Sequence, residues 1–151
     1  MSLQIRQAVV SDAEVIADFN SRLAMESEGK TLDQKTLLPG VQALLQDANK
    51  GIYYLACDEA GEAIGQIMHT YEWSDWRNGW FWWIQSVYVV AEHRGRGVFT
   101  TLFEHVREQA RRQGNVIGIR LYVEDNNTRA HKVYERTGFE SAGYFVLECG
   151  V

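Results

Sequence analysis

Only two cysteines, Cys57 and Cys149, occur in 151 residues, far apart and each inside an apolar run. That excludes a disulfide framework and predicts two reduced thiols in the core of a cytoplasmic protein. There is one proline, with no proline-rich linker, no repeat and no low-complexity segment, so nothing divides the chain. No apolar run reaches the length needed to cross a bilayer, and the amino end lacks the pattern of a signal peptide. Basic residues are in deficit: 15 Lys and Arg stand against 20 Asp and Glu, a formal net charge of −5. This argues against nucleic acid or an acidic membrane as partner and favours cationic or neutral small molecules. With 46% hydrophobic and 12% aromatic residues, the chain can bury one sizeable core, and a single domain over residues 1–151 is expected.

Hydrophobic spacing divides the chain into short elements. Leu3 to Val9 alternates like a strand, and Ser11 stands three residues before Glu14 as in a capping box, so a helix follows with Ile16, Phe19 and Leu23 on one face. A second helix is expected from Pro39, with Val41, Leu44, Leu45 and Ala48 on one side. Ile52–Cys57, Ala63–Trp73 and Trp80–Val90 read as an antiparallel meander. A helix carrying Phe99, Leu102, Phe103, Val106 and Ala110 inward then runs to Gly114. Val116–Val123 reads as a strand, Asn127–Thr137 as a helix, and Phe139–Glu148 as a closing hairpin. The implied class is α/β: a mixed, mostly antiparallel sheet of about 6–7 strands, about four helices, and a central parallel strand–helix–strand unit.

The junction from Val89 to Val98 is the first chemical signal. Gly95 and Gly97 let the backbone approach a ligand closely, Arg94 and Arg96 bring fixed positive charge, and the next helix aims its unpaired N–H groups at the same spot. An anionic, nucleotide-like ligand fits there. A second signal lies downstream, where Asn127, Ala130 and Tyr134 fall at helical offsets of three and four and share one face. Asn127 can cap the helix or bond an amide, Ala130 leaves room for a passing chain, and Tyr134 carries a phenol of reference pKa about 10.

In that order, the two segments resemble the GCN5-related N-acetyltransferase (GNAT) superfamily over nearly the whole chain. Arg94 and Gly97 match its R/Q-x-x-G-x-G/A loop, and Asn127, Ala130, Tyr134, Gly138 and Phe139 match its N-x-x-A-x-x-x-Y motif with the following Gly-Phe pair. The resemblance implies acetyl-CoA as cosubstrate, its pyrophosphate held by backbone N–H groups of Arg94, Gly95, Arg96, Gly97, Val98, Phe99 and Thr100. It further implies that the pantetheine arm pairs with Val87, Tyr88 and Val89 in a splay between two strands, beside a bulge, and that Asn127 and Ala130 line its path. Tyr134 would protonate the departing thiolate. Phe99 replaces the loop's last small residue, so its ring should point into the core. Gln85 stands where several amine-acetylating relatives carry a glutamate, and glutamine takes no proton.

The residues expected to face the acceptor are Glu26, Glu72, Trp73, Asp75, Trp76 and Gln85, with Glu28 and His69 as further proton acceptors. Carboxylates beside aromatics suit a cationic amine. Trp82 and Trp83, on opposite strand faces, are expected to fill two core layers. The implied activity is transfer of the acetyl group from acetyl-CoA to a primary amine of a small molecule, such as a polyamine or an amino-acid-like compound. Attack is direct, in a ternary complex, with no metal. A homodimer is the expected assembly, competing for the same exposed tryptophans. Two alternatives remain open at this point: a CoA-binding sensor without turnover, and a protein N-terminal acetyltransferase.

Overall fold

The three apolar runs in the middle of the chain become the central strands of one sheet in the computed structural model, which describes residues 2–151. The elements are β1 (Gln4–Gln7), α1 (Ala13–Glu28), α2 (Gln34–Gln46), β2 (Ile52–Cys57), β3 (Ala63–Ser74), β4 (Gly79–Val89), α3 (Val98–Gln113), β5 (Val116–Leu121) and α4 (Thr128–Arg136). Strand order is β1-β2-β3-β4-β5, antiparallel throughout except for the parallel β4–β5 pair on either side of α3. The chain divides into two compact units, one ending at Leu121 and the other running from Tyr122 to Val151.

The α/β class, the four helices and the mixed sheet agree with expectation, but the sheet has five strands where six or seven were expected. Residues Phe139–Glu148 form no hairpin, and Tyr144, Phe145, Val146 and Leu147 are exposed. Apolar alternation makes a strand only where a ladder partner exists, and the second unit contains no strand to supply one. Cys149 directly follows this segment and is exposed, so only Cys57 is the buried thiol that was expected.

Two helix starts also differ from their sequence signals. Asp12, not Ser11, precedes α1: its carboxylate accepts the Val9 N–H at 2.7 Å and both Arg6 nitrogens at 2.8 Å. The α2 helix begins at Gln34, one turn before Pro39, because the Asp33 side chain accepts the Lys35 N–H and caps it there. Pro39 then withholds one hydrogen bond inside the helix.

Alternation assigns the two faces of the sheet. Tyr53, Leu55 and Cys57 pack with Ile16, Ala17 and Val41 of α1 and α2 in one core cluster, while Tyr54 meets His105 of α3 on the other face. Gly65 is fixed by that second layer: a Cβ there would lie 3.2 Å from Val98 and 3.1 Å from the Tyr88 carbonyl oxygen. On the α3 face His69 is 1% exposed and stacks on Trp82 at 4.0 Å with an interplanar angle of 9°.

Burial pushes the His69 pKa down to about 4, so the ring stays neutral in the fold while an unfolded chain binds its proton near pH 6.5. The unfolded state therefore holds more protons between those values, and stability must fall as pH drops through that window, by roughly 3 kcal/mol at pH 4 from this group. Urea unfolding from pH 7 to pH 4.5 should show the decline, and His69→Phe should flatten it. An unchanged slope in the variant would remove His69 as the cause.

Candidate functional site

β4 pairs with β5 from Trp80 to Ile84 and then continues alone to Val89, because β5 ends at Leu121 opposite Ile84. At that point β4 also bulges: Met68 faces Ser86 and His69 faces Ile84, leaving Gln85 as an extra residue. Beyond the bulge Val90 donates its N–H to Ile64 on the β3 side at 3.0 Å. Main-chain groups alternate along a strand, so those of Val87 and Val89 point to the opposite edge, which β5 does not pair and where the Val89 carbonyl accepts from Arg94. An extended ligand with amide groups can add there as another strand.

That edge leads into a tight turn. Residues Ala91–His93 form one helical turn, Gly95 and Gly97 take φ of 75° and 79°, and α3 starts at Val98. Left-handed φ favours glycine at both positions, and nothing lies within 4 Å of where either Cβ would stand. The cradle is open. The first intrahelical bond runs from Thr101 N–H to Gly97 at 3.0 Å, and the first turn of α3 forms the positive end of the helix beside the cradle. Val98 is 2% exposed and fills the core. Phe99 is half-buried and stacks on Phe103 at 5.9 Å, which leaves its N–H at the helix start.

Arg94 closes the strand end. Its Nε donates to the Val89 carbonyl at 2.9 Å, and its Nη2 pairs with Glu26 of α1 at 2.6 Å. The Tyr88 hydroxyl donates to the other Glu26 oxygen at 2.6 Å. These hydrogen bonds, from Tyr88 first and Arg94 second, hold the Glu26 carboxyl below its ordinary range. Glu26 thus ties α1 to the loop. Deeper on the same face, Ser86 donates to Asn20 at 2.6 Å, and Gln66 bonds both at 3.0 and 2.9 Å.

Past the bulge the α1 face of the sheet continues in two further rows. Residues opposite one another in register share a face, which sets Thr70, Trp83 and Arg120 in one row and Glu72, Phe81 and Gly118 in the next. The Gln85 side chain joins this face by donating to the Thr70 hydroxyl at 3.1 Å. Glu72 accepts the Trp83 indole N–H at 2.8 Å and pairs with Arg120 at 3.4 Å. The Arg120 guanidinium lies 3.6 Å from the Phe81 ring centre and Arg77 lies 5.2 Å from it.

The structure thus brings Glu72 and Gln85 together but sends Trp73 elsewhere. Trp73 packs edge-on against Trp80 at 5.0 Å, and Tyr71 meets both Trp80 and Trp82, all on the α3 face. Trp76 is 90% exposed at the β3–β4 turn, where Asp75 accepts its N–H at 2.9 Å. His69 lies on the α3 face, away from Glu72. Trp83 is half-buried on the α1 face, so the expected second core layer is not made by it. Arg120 is not among the residues the sequence singles out; its signal is one guanidinium inside the otherwise apolar run Val116–Val123.

The second unit holds the other motif. Asn127 caps α4, its side-chain oxygen accepting the Ala130 N–H at 3.1 Å. Tyr134 meets Phe139 edge-on at 5.7 Å, and burial pushes its phenol above the ordinary value, so it remains protonated at neutral pH. Gly138, at φ of 100°, turns the chain so that the Phe139 N–H reaches the Tyr134 carbonyl at 3.0 Å.

Known proteins share this fold. A possible acetyltransferase from Clostridium difficile 630 is 44% identical, with TM-score 0.92 over 100% of this chain and 99% of that one. AAC(6')-Iy, solved with the bisubstrate analogue CoA-S-monomethyl-acetylneamine, has the same fold at 19% identity and TM-score 0.82, over 100% and 99% of the two chains. Streptothricin acetyltransferase of Escherichia coli is 32% identical over 54% of this chain and 44% of its own length. An L-methionine sulfoximine/L-methionine sulfone acetyltransferase of Pseudomonas aeruginosa is 31% identical over 56% and 50%. The chain spans half or less of the length of these curated relatives. Acetyl-CoA is the family's usual acetyl donor. The model of the "Acetyltransferase (GNAT) family" matches residues 19–139, and the chain belongs to that family.

Proposed function

We propose that this protein transfers the acetyl group of acetyl-CoA to a primary amine of a small molecule, by direct attack in a ternary complex. One observation carries the reading: the stretch of β4 at Val87–Val89 that β5 does not pair runs straight into the Gly95–Gly97 cradle and the N-terminus of α3. The pantetheine arm has amides that can donate to and accept from such an edge. A diphosphate suits the cradle, where Arg96 adds positive charge. The names of the streptothricin and methionine sulfoximine acetyltransferases support a small acceptor.

In the reaction the amine nitrogen attacks the thioester carbonyl carbon, the C–S bond breaks, the nitrogen gives up a proton, and the thiolate gains one. An alkylamine of pKa near 10.4 costs about 4.6 kcal/mol to deprotonate at pH 7. Gln85 at the bulge cannot accept that proton, and its amide instead holds Thr70. Glu72 is the carboxylate on the same face, so water relayed toward Glu72 is the proposed route for the proton. Tyr134 keeps the role of proton donor to the thiolate, a proposal resting on the sequence motif and consistent with its raised pKa.

Mixing the protein with acetyl-CoA and a panel of amines, and following thiol release, tests the reading. Release with at least one small primary amine is expected. Binding of CoA with no release across the panel would leave the sensor alternative, and release only with peptide amino termini would leave the protein acetyltransferase.

Two substitutions refine it. Gly97→Val forces a branched side chain into left-handed φ and into the cradle, so CoA affinity measured by calorimetry should fall at least ~100-fold, or about 2.7 kcal/mol. Tyr134→Phe should lower kcat by ~10-fold or more while leaving the CoA Kd within about twofold; equal losses in both would mean the ring serves packing.

A further inference from the structure

The two rows beyond the bulge carry more positive charge than a site for polycations should. Arg77 and Arg120 both lie over the Phe81 ring, whereas Glu72 is the one carboxylate bonded into these rows among the described residues. Asp75, in the neighbouring turn, points its carboxylate at the Trp76 N–H. The aromatic surface that would attract a cationic acceptor is therefore already covered by guanidiniums. A di- or polyamine entering here meets two like charges.

Arg120 is built to receive an anion. Gly118 makes room for it: a Cβ at that position would stand 2.8 Å from the Phe81 ring, so glycine lets the ring lie down on β5 beneath the guanidinium. The Arg120 side chain is 21% exposed, and its contact with Glu72 is single and long at 3.4 Å. Glu72 is meanwhile held by the Trp83 indole at 2.8 Å. Among the described residues Glu72 is the one hydrogen-bond partner of the Arg120 guanidinium, so donors remain for a carboxylate, which arginine takes in a two-point fork. Arg120 stands opposite Trp83, one pair before the strands part, so a carboxylate seated on it lies beside the Gln85 bulge where the open edge begins.

We infer that the acceptor is an α-amino acid or a close analogue, its carboxylate taken by Arg120 and its amine directed to the bulge. This rests on the acetyltransferase reading and narrows it from amines in general to amines with an adjacent carboxylate. Arg120 then sets specificity and holds the nucleophile in place.

The test compares each α-amino acid with its carboxamide and its decarboxylated amine in the thiol-release assay. For the best amino acid, kcat/KM should exceed that of its amide at least tenfold, a difference of about 1.4 kcal/mol. Arg120→Gln should bring that ratio toward one, chiefly by raising KM for the amino acid, and Arg120→Lys should keep part of it because charge survives without the fork. Amides or plain amines equal to the amino acids would overturn the inference while leaving the acetyltransferase intact. So would an equal loss for both substrates in Arg120→Gln, which signals a packing role; a thermal melt identifies an unfolded variant, and Arg120→Lys then decides. If no compound releases thiol, calorimetry of the same compounds on CoA-saturated protein still reads the inference. Amino-acid binding that Arg120→Gln abolishes supports it, and no preference over the amide refutes it.

Discussion

The parting of β4 from β5 after the Ile84–Leu121 pair is the constraint on which the rest depends. A parallel pair that ran to the end would consume the main-chain groups of Val87 and Val89. The bulge at Gln85 does more than bend the strand. Before it, Trp82 and Ile84 face α3; after it, the even-numbered Ser86 and Tyr88 face α1, because one extra residue reverses the alternation. A regular strand would send Ser86 and Tyr88 to the α3 side, and the bonds that seat α1 on the sheet would not form.

Those bonds explain why α1 covers only part of its face. The Ser86–Asn20–Gln66 cluster and the Glu26 contacts with Tyr88 and Arg94 fasten both halves of α1 over the rows next to the phosphate-type turn. The outer cluster is half exposed, and an ion pair of that kind contributes at most about 1 kcal/mol. Its value lies in register. Buried polar groups bonded to one another permit one placement of the helix, where an apolar contact would tolerate several. The rows carrying Thr70, Glu72, Phe81 and Trp83 are left outside that cover, next to the bulge.

Local signals made much of this legible in the sequence. Gly95 and Gly97 announce a turn that needs left-handed φ, and the apolar runs at Ile52–Cys57 and Ala63–Trp73 fall within a residue of the strands formed. Where reading failed, the deciding partner lay far away in sequence. Asp12 outcompeted Ser11 because Arg6 and the Val9 N–H converge on it, and neither spacing nor propensity contains that convergence. The run Phe145–Val146–Leu147 has strand composition, yet composition supplies no ladder. The site was half legible for the same reason. Glu72 was named as a carboxylate at a strand end and Gln85 by its place in the family resemblance, but the face Gln85 takes depends on the bulge, and Arg120 meets Glu72 only across two strand pairings.

A net charge of −5 favours cationic or neutral small molecules, while the face beside the bulge holds two guanidiniums on one ring. The two statements concern different ranges. At physiological ionic strength a field is screened over about 8 Å, so the excess of acidic residues over the surface bears on encounter and solubility and contributes little at contact. At contact, what counts is which donors are unspent. Glu72 is bonded by Trp83 and Arg120, and Arg120 retains guanidinium donors. The same arrangement gives each half of an amino acid a distinct place: a carboxylate on the guanidinium, and an amine, a hydrogen-bond donor, toward the strand edge. A molecule carrying both groups relieves the positive excess and brings its nitrogen to the edge in a single step, which a diamine cannot do.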